Sequence, residues 1–102
     1  MTNNNKNKNG GLFTYTHYNN KVVGVVSLSC ETDFAEKTGV FKLLGDNLAM
    51  QVACSEVGSV EEFVKLECYT REDNKTVQAA LDEVSKLLKE KVEVLSISKI
   101  EF

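Results

Sequence analysis

The sequence predicts an α+β fold, with a mostly antiparallel sheet of three to four strands and two helices packed on one face of it. Two apolar stripes at helical spacing mark the helices, and segments of alternating apolar and polar residues around them mark the strands. The chain contains no proline, so nothing interrupts these elements. The first stripe is Phe41, Leu44, Leu48 and Val52, with Ala49 and Ala53 beside it. The second is Val77, Leu81, Val84 and Leu88, with Thr76 placed to cap its start.

From Leu12 to Tyr18 apolar and polar residues roughly alternate, and a valine-rich run over residues 21–30 follows Asn19-Asn20. This reads as a β-hairpin, because asparagine tolerates the positive φ of a tight turn. On the second strand Val22, Gly24, Val26, Leu28 and Cys30 share one face, and Val23 and Val25 share the other. Further on, "EFVKLECYT" over residues 62–70 alternates as a strand does. Ser59 and Glu62 also fit a helical capping box there, and the strand is the reading taken. In the last segment Val92, Val94, Ile100 and Phe102 fall on one face, with Leu95 and Ile97 on the opposite one.

At 102 residues the chain is expected to form a polar, disordered leader over residues 1–10 and a single domain over 11–102. The net charge of −3, with basic and acidic residues interspersed, argues against direct nucleic-acid binding. No apolar stretch is long enough to span a membrane and no secretory signal is visible, so the expected location is the cytoplasm. Cys30, Cys54 and Cys68 lack paired spacing and only one histidine accompanies them, so we expect buried thiols, no metal site and no cofactor. His17 has no partner that would make it a general base, Ser27 and Ser29 have no histidine base, and the glycines form no phosphate loop. We therefore expect no enzyme.

The stretch "CETDF", residues 30–34, sets an acid and a large aromatic where a strand gives way to a helix. Asp33 reads as an N-cap, with Glu36 three residues on. Phe34 is either a core residue beside that cap or an exposed aromatic that anchors a partner, and the residues alone leave both open.

Residues 11–102 resemble the core, or dimerisation, domain of bacterial elongation factor Ts. The features that carry the resemblance are His17-Tyr18 before the turn, Val23-Gly24-Val25, the run Cys30 to Phe34, Phe41, and Leu48-Ala49-Met50-Gln51-Val52-Ala53. Phe63 to Thr70, Thr76-Val77 with Leu81, and Ile100-Glu101-Phe102 match more weakly and in the same order. The family's N-terminal helical module has no counterpart before Gly10, which reads as a shortened form. The long charged segment of the family is reduced to residues 55–58, and Ala35 stands where valine is usual.

The resemblance implies a protein that binds elongation factor Tu and promotes release of GDP in translation. Thr32, Asp33, Phe34 and Met50 would face that partner, with Phe34 as a wedge that disturbs the Mg²⁺ side of its nucleotide site. It also implies a homodimer, for which the second apolar face of the sheet nominates Val23, Val25, Leu95 and Ile97. The alternative expectation is a module that binds elongation factor Tu or dimerises without catalysing exchange.

Overall fold

The computed structural model describes residues 9–70 and 72–102. Along the chain lie β1 (Asn9–Thr16), β2 (Val22–Cys30), a one-turn helix α1 (Asp33–Glu36), α2 (Gly39–Ala53), α3 (Val60–Lys65), α4 (Val77–Leu88) and β3 (Glu93–Glu101). The strands form one sheet in the order β1-β2-β3, with both pairings antiparallel. The expected α+β class therefore stands, with three strands among the described residues. Of the expected leader, residues 1–8 lie outside the described residues, while Asn9 and Gly10 belong to β1 and pair with Cys30 and Ser29.

Asparagine closes the hairpin as expected. Asn20 takes a φ of 61°, its N–H donates to the His17 carbonyl at 2.8 Å, and the His17 N–H donates to the Val22 carbonyl at 2.9 Å. The face of β2 bearing Val26, Leu28 and Cys30 is buried under the helices, chiefly α2, whose Phe41, Leu48 and Val52 point into the same core.

Two glycines set how closely α2 lies on the sheet. A Cβ on Gly24 would stand 2.3 Å from the Ala49 carbonyl oxygen and 2.6 Å from the Ala53 nitrogen, so strand and helix backbones touch there directly. A Cβ on Gly45 would stand 2.4 Å from the Phe13 ring, which packs edge-on against Phe41 at 5.8 Å.

Two expectations are corrected. Residues 62–70 are not a strand. Ser59 caps α3 by accepting the Glu62 N–H at 3.2 Å, Phe63 is buried, and all that remains of sheet pairing is a single bridge from Glu67 to Thr76. The buried side chain of Gln51 serves this segment instead: its amide donates to the Glu67 carbonyl and its oxygen accepts the Tyr69 N–H, both at 2.9 Å. Those bonds satisfy backbone groups that a neighbouring strand would otherwise satisfy.

The second correction concerns the faces of β3. Leu28 pairs with Val94 but Ser27 pairs with Ser96, so Leu95 is an extra residue that shifts the alternation by one. Ile97 consequently lies opposite Val26 and packs on the core, while Ile100 lies opposite Val23 and is exposed. Ile97 is thus separated from Val23, Val25 and Leu95, and Ile100 takes its place on the outer face. That face carries Leu12, Thr14 and Thr16 from β1, Val23, Val25, Ser27 and Ser29 from β2, and Ser96, Ser98 and Ile100 from β3, with the charged Glu93 opposite Ser29 at its end.

Candidate functional site

The turn from β2 into α1 is organised by Thr32 rather than Asp33. Thr32 has extended backbone angles, and its Oγ1 accepts the Ala35 N–H at 3.2 Å, which makes it the N-cap of α1. Asp33 is the first helical residue, where a negative charge meets the unpaired N–H groups of the helix start. Its contact with Lys37, at 4.0 Å between two largely exposed side chains, adds little stability.

Ala35 is buried in the core, and this anchors α1 with the adjacent residue facing away. Phe34 is 75% exposed, so the core reading of this residue is excluded. At the far end of α1 the Thr38 hydroxyl donates to the Ala35 carbonyl at 2.8 Å and accepts the Phe41 N–H at 3.2 Å, linking α1 to the start of α2. Glu36 ties the same helix to β1 by accepting the Gly10 N–H at 2.8 Å.

Sequence reasoning missed two residues here. One oxygen of the Glu90 carboxylate accepts the N–H groups of Glu31 and Thr32, at 2.9 and 3.0 Å, and the other accepts the Thr32 hydroxyl proton. In return, the Glu31 carboxylate accepts the Lys91 N–H at 2.9 Å. The Thr32 hydroxyl, and behind it the two N–H groups, hold the Glu90 carboxyl below the ordinary glutamate range. Glu90 comes to face this turn because Lys89 ends α4 in the left-handed conformation, φ 61°, and the Glu90 N–H bonds back to the Ser85 carbonyl at 3.1 Å. No local spacing signals a pairing between residues this far apart in the chain.

The other expected residues are more dispersed. Met50 is half-buried on α2, eleven positions after Gly39, which puts it about 16 Å along the helix axis from the end that adjoins α1. Thr32, Asp33 and Phe34 therefore form one cluster and Met50 lies outside it. The expectation of three buried thiols is corrected at one position, since Cys30 and Cys68 are buried but Cys54 is exposed. Burial, followed by the carboxylates of Glu90, Glu36 and Glu31, pushes the Cys30 thiol up, which keeps it protonated and unreactive at neutral pH. His17 lies beside Tyr18 with the rings tilted by 54° and their centroids 4.5 Å apart, and its Nδ1 lies 3.5 Å from the Tyr15 hydroxyl.

Comparison with known proteins gives this arrangement a context. The chain is 44% identical over 54 residues to the chloroplastic elongation factor Ts of Cyanidioschyzon merolae, a match covering 52% of this chain and 26% of that protein. It is 40% identical over 72 residues to elongation factor Ts of Clostridium kluyveri, covering 71% and 23% respectively. Against elongation factor Ts of Clostridium botulinum it is 32% identical over 91 residues, or 89% of this chain and 29% of the other.

This chain carries an elongation factor Ts-like region.

No family model matches the chain. The elongation factor Ts-like chain spans about a quarter of the length of the curated relatives it matches. Among its described residues no helix is long and apolar enough to cross a membrane, and no group of three or more His, Cys, Asp or Glu is placed to hold a metal ion.

Proposed function

We propose that this chain binds elongation factor Tu in the cytoplasm and speeds the release of GDP from it. The observation that carries this reading is Phe34, a large aromatic left 75% exposed on a turn held by hydrogen bonds from the Glu31, Thr32 and Ala35 N–H groups. Burial of such a side chain in a partner yields binding energy at little ordering cost, because its base is already fixed. The kinship of the chain with proteins named elongation factor Ts indicates the partner.

The mechanism is linkage rather than covalent chemistry. A factor that binds the nucleotide-free partner more tightly than the GDP complex weakens GDP binding by the same coupling free energy, typically about 1 to 3 kcal/mol. Thr32 and Asp33 shape the turn, Phe34 makes the contact, and Met50 supplies a second, separate point on α2. The test is release of a fluorescent GDP analogue from elongation factor Tu, followed by stopped flow. Acceleration that rises with the concentration of this protein is expected, and an unchanged release rate overturns the reading.

The same proposal includes a homodimer through the outer face of the sheet. Val23, Val25, Leu95 and Ile100 give that face apolar surface, and Glu93, the charged residue among its paired strand positions, lies at the end of the strand, so a second copy can cover the centre without desolvating it. Val25→Arg is expected to shift the chain to monomer in sedimentation equilibrium. A second reading, binding without exchange, is favoured by the distance of Met50 from the Phe34 cluster, about 16 Å along α2, which leaves the exposed aromatic as one small contact. It predicts a stable complex on a sizing column with no faster nucleotide release.

A further inference from the structure

Two corners of the fold, 58 to 60 residues apart in the chain, are joined by the four hydrogen bonds of Glu90 and Glu31. We infer that Glu90 is the positioning residue of the Phe34 turn: its carboxylate holds the Glu31 and Thr32 backbone and the Thr32 hydroxyl, and so sets the direction in which Phe34 meets a partner. This inference rests on the reading of Phe34 as the partner contact.

The chemistry of Thr32 makes the link specific. A hydroxyl has one proton to give, and here it goes to Glu90, which leaves the oxygen lone pairs free to accept the Ala35 N–H and cap α1. Donation to a carboxylate also polarises that oxygen and strengthens the cap. At four residues, α1 is too short to hold a direction by itself, so its anchors set it. Glu36 and Thr38 anchor its far end, and Glu90 anchors its start. Phe34 is largely uncovered by its own chain, so packing does not fix its aim.

The first test needs no partner. In the Glu90→Ala protein, ¹⁵N relaxation order parameters over residues 32–36 are expected to fall from about 0.85 to below about 0.6, while those of the sheet stay at wild-type values. Thr32→Ser, which keeps the hydroxyl, is expected to match wild type. Should Glu90→Ala fail to fold, Glu90→Gln replaces it: one oxygen still accepts the two N–H groups, but the amide nitrogen cannot accept the hydroxyl proton, and an intermediate loss of order is expected. Unchanged order parameters in either variant overturn the inference.

The second test is coupling in the GDP-release assay. Glu90→Ala is expected to raise the half-saturating concentration about tenfold, and Phe34→Ala/Glu90→Ala to be no worse than Phe34→Ala alone, because Glu90 acts through Phe34. Additive losses overturn the positioning role. If the wild-type chain fails to accelerate release, the exchange function falls, and the relaxation measurement still decides whether Glu90 holds the turn.

Discussion

Replacing Phe34 with alanine affects binding and stability to very different extents, and the exposure of the side chain sets both magnitudes. With 75% of the residue exposed, its own chain covers about a quarter of a phenylalanine surface of roughly 200 Å², or about 50 Å². At about 25 cal/mol per Å², losing that contact costs about 1 kcal/mol and lowers Tm by about 4 to 8 °C in a chain of this size. The remaining area of roughly 150 Å² is available to a partner, where its burial contributes about 3.7 kcal/mol, or about 500-fold in affinity. Stopped-flow titration of GDP release and a thermal melt measure the two effects on one preparation. An unchanged half-saturating concentration refutes the role of Phe34 as the contact. A stability loss of about 3 to 5 kcal/mol, as for a core phenylalanine, refutes its exposed placement.

Gly24→Ala is expected to destabilise the fold by about 1 to 3 kcal/mol or more, because the new Cβ meets backbone atoms of α2 that have no rotamer with which to move aside; urea unfolding measures it. Gln51→Leu removes both hydrogen bonds to the segment after α3 and is expected to cost about 2 kcal/mol, read as a lower urea midpoint with an unchanged slope. Acid should loosen the Glu90 clamp. The folded-state carboxyl titrates below the ordinary value of 4.5, so its stabilisation is complete above that value and is lost as pH falls through the lower folded-state value. Glu31, Glu36 and the Cys30 thiol share this corner with Glu90. In melts taken from about pH 5 downward, wild type is therefore expected to lose more stability than Glu90→Gln, and parallel curves would refute the assignment.

The long elements were legible because each repeats a signal over several turns or pleats. The stripes Phe41 to Val52 and Val77 to Leu88 became α2 and α4, Thr76 caps α4, and Asn19-Asn20 closes the hairpin. Short segments were less so. Over residues 62–70 alternation competed with a capping box, and the cap prevailed because Phe63 fills the core from a helix while Gln51 satisfies the backbone that follows. In β3 one bulge at Leu95 reversed the assignment of every later residue, since alternation has a period of two and a single extra residue inverts it. At the candidate site, Thr32 displaced Asp33 as the cap because its hydroxyl bonds both Glu90 and the Ala35 N–H.

By itself the sequence determined the α+β class, the two long helices, the hairpin and the place of the Thr32-Asp33-Phe34 turn between strand and helix, all of which depend on residues near one another in the chain. Only the tertiary structure decided that Phe34 faces outward, that Ile100 rather than Ile97 joins the outer face of the sheet, and that Glu90, distant in the chain, meets the turn. Those outcomes depend on which backbone and side-chain groups meet across 58 or more residues, and chain-local periodicity carries no record of such meetings.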